Sequence, residues 1–247
     1  YAHASEQPMT TITGEIGHGP AGFVGQPQAQ GLYDPRHEHD SCGVGFVVNV
    51  KGQRSHAIVR QALEVLINLL HRGACGCEPN TGDGAGILLQ IPDRFLRKAC
   101  EPLGINLPDA NEYGVGMVFL PHDTEQRKKI QALVESVVVE EDQHLLGWRD
   151  LPTDDQMVGD SAVSTEPHFS QVFIGRGPGL SDQDHFERKL YVIRKRVAHL
   201  VDTLAVEGGD FFYVPSLSSR TIVYKGMLRA DQIESMFPDL TDPDVES

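Results

Sequence analysis

The chain has 247 residues, 40% of them hydrophobic and 23% charged. That is enough for a buried core in one large domain or two small ones. The 21 basic and 35 acidic residues leave a net charge of −14, with a pI near 5.1. An acidic surface repels phosphate backbones, so nucleic acid is excluded as a general partner. No apolar run reaches the roughly 18 residues of a membrane-spanning helix, and the first thirty residues have neither the basic nor the apolar region of a secretory signal.

Residues 1–35 are rich in Gly, Pro, Gln and Thr without periodicity and read as a leader or tail. The first residue is Tyr rather than Met, which points to an upstream or cleaved start. "GVGFVVNV", 43–50, is β-branched and apolar on both faces and predicts a buried strand. Val59, Leu63, Leu66, Ile67 and Leu70 recur at helical spacing, predicting an amphipathic helix over 55–71 that is capped by Gly73. A glycine-rich loop, 76–86, leads into a strand "ILLQI" and a short helix "DRFLRKAC". "YGVGMVFL", 113–120, predicts a second buried strand, and the next helix is capped by Asp123 or Thr124. The polar stretch 150–166 predicts a loop, and "HFSQVFIGR" a strand. Phe186, Leu190, Ile193, Val197, Leu200, Val201 and Leu204 mark the longest helix, about 183–206. Two short strands flank Ser216–Ser219, and the last dozen residues carry no strong element. Strands and helices mix without a regular βαβ beat, so the fold class is α+β rather than a doubly wound parallel sheet.

Chemistry-bearing residues gather in four places. Cys42 opens the apolar run, with Gly43 and Gly45 just behind it. A cysteine here is either a core residue beside a bulge or a nucleophile approached closely by substrate. Arg72 in "HRGACG" suits a helix C-terminus and could equally bind a carboxylate. "TGDGAG", 81–86, is neither a Walker loop nor GxGxxG; it is either a tight turn or a place where backbone N–H groups meet a substrate. Cys75, Cys77, Cys100 and His71 lack the paired spacing of a zinc site, so no metal is predicted. The irregular spacing of the four cysteines also argues against a disulfide scaffold and for a reducing compartment. Neither GxSxG nor the papain-type CGxCW signature occurs.

Taken in order, "EHDSCGVGF", "LLHRGACG", "TGDGAGILLQIP" and "SLSSRTIVYKGML" resemble the N-terminal glutaminase domain of glutamate synthase large subunits, a type 2 glutamine amidotransferase. The resemblance runs from about Leu32 to the C-terminus. It implies the N-terminal-nucleophile hydrolase fold, a four-layer αββα sandwich, here truncated at its C-terminal side. It implies a leader, 1–41, removed between Ser41 and Cys42, and an incomplete amidotransferase domain over 42–247. Cys42 would be the nucleophile and its freed α-amine the base, which explains why no partner His is needed. Arg72, Gly73, Thr81, Gly82 and Asp83 would border the glutamine site, with Arg220 of "SSRT" a weaker candidate. The parent enzyme would pass ammonia to 2-oxoglutarate and carry FMN and an iron–sulfur cluster. Its partners would be the rest of the large subunit and a small FAD/NADPH subunit, in a bacterial cytoplasm rather than a plastid stroma.

The family's His-x-Arg-Tyr/Phe-Ser-Thr stretch and oxyanion-hole Asn-Gly do not occur in this sequence. The piece by itself is therefore expected to be an incompetent glutaminase, and an attached leader would leave Cys42 without a free amine. Two other readings are a scaffold domain that kept the fold without the chemistry, and a stand-alone cysteine hydrolase. The second would need oxyanion and carboxylate-binding groups that the sequence does not display.

Overall fold

The structure, a computed structural model, describes residues 30–31, 34, 43–73 and 78–247, with the side chain of Arg72 outside that set. Among the described residues, every helix and every sheet strand lies in the unit spanning 42–247. Its helices are α1 His56–Asn68, α2 Asp93–Cys100, α3 Thr124–Glu140, α4 Asp160–Val163, α5 Gln183–Thr203 and α6 Ile233–Met236. Its strands are β1 Ala85–Gln90, β2 Tyr113–Leu120, β3 His144–Asp150, β4 His168–Gly175, β5 Tyr213–Ser218 and β6 Thr221–Gly226. They form a four-stranded sheet in the order β3-β4-β2-β5 and a two-stranded ladder β1-β6, antiparallel at every pairing. The class is α+β, as the mixed pattern predicts.

The period-2 alternation of β2 divides the core. Tyr113, Val115 and Met117 point to one face, and Val118 and Leu120 to the other. The second face is covered by α3 and α5, through Ile130, Val134 and Val137 on one helix and Phe186, Leu190, Ile193 and Val197 on the other. The first face packs on the β1-β6 ladder, through Ile87, Leu89, Ile222 and Tyr224, together with α1, α2 and the C-terminal segment. α3 starts where Asp123 accepts from the Glu125 and Gln126 amides, the N-cap the sequence allows. α5 starts in the same way at Asp182. At Gly114 on β2, an added Cβ would lie 2.5 Å from the Leu190 side chain; its absence lets α5 settle on the sheet.

Four expectations need correction. The run 43–50 forms no strand: Val44, Phe46 and Val48 are 85%, 86% and 69% exposed. β-branched residues supply a preference, but a strand also needs a ladder partner and a covered face, and among the described residues this run has neither. Gly45 instead lies against Val65 and Leu69 in the last turn of α1. Gly73 does not cap α1, which ends at Asn68 with Leu69 as its C-cap; it closes a 3-10 turn, Leu70–Arg72, in an extended conformation. Strand β3 is absent from the pattern read along the sequence because it is bulged. The register shift between Leu145 and Gly147 resets the alternation, so that Leu145 and Trp148 both face the helices. Finally, α4 interrupts the predicted loop at 150–166.

The last dozen residues form only short turns, as predicted, but they are core: Phe237, Leu240 and Val245 are fully buried. What fixes them is polar. Both terminal nitrogens of Arg149 donate to Asp239, each at 2.8 Å, and one of them also donates to Gln171 Oε1 at 2.9 Å. Tyr224 donates to Asp239, Gln171 donates to Tyr224, and the Arg149 guanidinium lies over the Phe95 ring. Burial works against the Arg149 charge, but the Asp239 carboxylate outweighs it and holds the guanidinium pKa above its ordinary value. Removing one partner leaves an uncompensated buried charge, so Asp239→Asn should cost about 3–5 kcal/mol in urea unfolding. Arg149→Met combined with Asp239→Leu should cost clearly less than the two single changes summed.

Candidate active site

Parts of all four sequence motifs meet in one region. Gly45, three residues after Cys42, rests on the end of α1. The 3-10 turn follows, and a Cβ on Gly73 would lie 3.7 Å from Asp83 Oδ1. Asp83 belongs to the loop that runs into β1. On the far side of this loop Gly82 meets the chain leaving β6: a Cβ there would fall 2.4 Å from the Leu228 carbonyl and 2.5 Å from the Arg229 nitrogen. Backbone cannot yield as a flexible side chain can, so this approach requires glycine. Gly84 has φ +135°, a second position where only glycine is comfortable.

The structure therefore brings together Gly73, Thr81, Gly82 and Asp83. Thr81 and Gly82 are buried and Asp83 is exposed, its carboxylate facing Gly73. Ser41, Cys42, Cys75, Cys77 and the Arg72 side chain lie outside the described residues. Arg220 does not join the group. It sits beside the opposite end of the β1-β6 ladder, where Thr221 pairs with Gln90, about 17 Å of strand from the Ala85–Gly226 rung next to the loop. There it pairs with Asp184, while Glu187 accepts from the Ser218 and Ser219 hydroxyls. The "SSRT" wording fastens a turn to α5. Cys100 is a different kind of thiol from a nucleophile: it is fully buried, and burial pushes its pKa up to about 11.

Apart from a bridge at Gly82, the described part of the loop makes no ladder before β1, and its own Glu78 together with side chains from other segments holds it. The Glu78 carboxylate accepts from Thr81 Oγ1 at 2.9 Å, from Ser161 Oγ at 2.7 Å and from the Ser161 amide at 3.2 Å. Gln232 Nε2 donates to the carbonyls of Asn80 and Met157, at 2.9 and 2.6 Å. Arg229 donates to the Pro79 carbonyl at 2.9 Å. Gly159 comes so close that a Cβ would meet Thr81 Oγ1 at 2.2 Å. None of these holders carries a sequence signal. Gln232 lies in a polar stretch that reads as surface, and Glu78 merely precedes the glycines.

The Ser161 hydroxyl and amide, with Thr81, hold the Glu78 carboxyl below its ordinary value of 4.5. A carboxylate depressed by folding contributes while ionised, and its contribution is lost as pH falls through the lowered pKa. Hydrogen-exchange protection of the Ser161 amide should therefore persist from neutral pH down to about 4.5 and fall away only below it. A Glu78 that titrates at or above 4.5 by NMR would contradict this arrangement.

Comparison with known proteins agrees with the resemblance. The family model of class-II glutamine amidotransferases matches residues 42–247. The glutamate synthase [NADPH] large chain of Bacillus subtilis (strain 168) is 48% identical over 216 residues, covering 87% of this chain and 14% of that protein. The glutamate synthase [NADH] of Schizosaccharomyces pombe is 38% identical over 226 residues, 90% of this chain and 10% of that protein. The ferredoxin-dependent glutamate synthase 2 of Synechocystis sp. (strain ATCC 27184 / PCC 6803 / Kazusa) is 36% identical over 225 residues, 91% of this chain and 14% of that protein. The chain thus spans only about a seventh of the length of these bacterial relatives. With the family model matched from Cys42 to Ser247, the chain belongs to the class-II glutamine amidotransferases.

Proposed function

We propose that this domain hydrolyses glutamine in the N-terminal part of a glutamate synthase large chain, with Cys42 as the nucleophile. The observation that carries the reading is that the family match starts at Cys42. In this reading residues 1–41 are a leader cut between Ser41 and Cys42. The αββα sandwich of N-terminal-nucleophile hydrolases is the arrangement that the two stacked sheets and their helices support.

The chemistry follows from the residues. The new α-amine takes the Cys42 thiol proton, and the sulfur attacks the side-chain amide carbon of glutamine. The resulting α-ammonium returns a proton to the leaving nitrogen, ammonia departs and a γ-glutamyl thioester forms. Water, deprotonated by the same amine, then releases glutamate. Glutamine arrives as a zwitterion, and the exposed Asp83 carboxylate beside Gly73 suits its α-ammonium group. Thr81 and Gly82 set where that carboxylate stands, Gly73 borders it, and in this reading Arg72 borders the same site.

The remainder of the parent chain would receive the ammonia and use it on 2-oxoglutarate. FMN and the iron–sulfur cluster belong there in this reading. The relatives named for NADPH, NADH and ferredoxin share this domain at 48%, 38% and 36% identity, which supports an electron donor chosen outside it. A small FAD/NADPH subunit is the corresponding partner. We place the enzyme in a bacterial cytoplasm.

The test is glutamine hydrolysis by the full-length protein. Cys42→Ala should abolish it, and N-terminal sequencing of active enzyme should begin at Cys42. Asp83→Asn, which removes one charge-assisted hydrogen bond, should raise KM for glutamine about 10- to 100-fold. Full activity in Cys42→Ala would overturn the reading.

A further inference from the structure

We propose that Gln232 is a positioning residue for glutamine binding, acting by fixing the loop that carries Asp83. This rests on the reading that Thr81, Gly82 and Asp83 border the glutamine site. The loop makes no ladder bonds beyond the bridge at Gly82, so its place depends on what it is tied to. Gln232 is only 3% exposed and bonds through both ends of its amide. Nε2 donates to Asn80 and Met157, and Oε1 accepts from the Arg229 amide at 2.8 Å.

One side chain thereby joins three segments: the site loop, the 157–161 stretch before and within α4, and the chain leaving β6. The same three segments meet a second time without it. Ser161 holds the Glu78 carboxylate, and Gly82 lies against Leu228 and Arg229. These ties fix the residues just before Asp83, while Asp83 itself is left exposed for a ligand. An amide is the group this position requires. It must offer two N–H donors to two carbonyls and one oxygen to an N–H, which neither a carboxylate nor a hydrocarbon does.

Gln232→Glu keeps the shape and the accepting oxygen but puts a carboxylate against two carbonyls. In the full-length enzyme, KM for glutamine should rise about tenfold with kcat within about twofold of wild type. The KM ratio to wild type should shrink as pH is lowered and the introduced carboxyl takes up a proton, regaining one donor. A merely structural role would instead reduce the amount of active enzyme, lowering kcat at unchanged KM. Ser161→Ala, at an exposed position, covers the case in which Gln232→Glu does not fold; it should raise KM about threefold.

Wild-type KM in Gln232→Glu at every pH, or a loss confined to kcat, overturns the inference and leaves the glutaminase reading intact. Wild-type KM in Ser161→Ala when Gln232→Glu cannot be folded overturns it as well. A wild-type enzyme that does not hydrolyse glutamine overturns both.

Discussion

Asp239 lies in a turn near the end of the chain, yet both oxygens of its carboxylate meet a guanidinium that β3 carries inside the core. Two charges without water around them are tolerable only when each is paired and the remaining hydrogen-bonding capacity is used. Here Gln171 and Tyr224 complete the set, and among the described residues no buried side-chain nitrogen or oxygen lacks a partner. The pair binds sheet, ladder and C-terminal segment into one body, since Arg149 is on β3, Gln171 on β4 and Tyr224 on β6. Hydrophobic burial of Phe237, Leu240 and Val245 supplies the driving force. The ion pair supplies the register in which that burial occurs.

The site depends on this register. The segment that Asp239 secures begins just after β6, where Leu228, Arg229 and Gln232 meet the glycine loop. A loop without regular hydrogen bonding can hold a carboxylate in place only if its carbonyls and hydroxyls are satisfied from outside. Ser161, Arg229 and Gln232 do this from other segments, Ser161 through the loop's own Glu78. Tight backbone approaches at Gly82 and Gly159 leave no room for drift. Rigidity at the rim and exposure at Asp83 are thus two aspects of one arrangement.

The parts of this molecule that are legible in its sequence are those where a single pattern runs unbroken. β2, β4 and α5 display their apolar alternation or stripe over whole elements, and the Asp123 cap marks the start of α3. β3 is hidden because its bulge shifts the alternation and its one buried polar residue, Arg149, serves a partner ninety residues away. The 43–50 run misleads in the opposite sense, since strand formers say nothing about who pairs with them. Thr81, Gly82 and Asp83 stand out in the sequence because glycine spacing signals close approach, and in space Gly73 lies beside Asp83. Arg220 belongs elsewhere because motif order does not state which end of a strand faces the loop. Gln232 and Glu78 are invisible for a related reason: what they do is defined by backbone atoms of distant segments, to which residue type gives no clue.

Cys42, freed at its amino end, is on this account the nucleophile of a glutamine site bordered by the clamped loop. Peptide mapping of the full-length protein after treatment with the glutamine analogue diazo-oxo-norleucine tests that most directly. The expected result is a single adduct on a peptide whose first residue is Cys42, suppressed by excess glutamine. An adduct at another residue, or none in enzyme that hydrolyses glutamine, would contradict it.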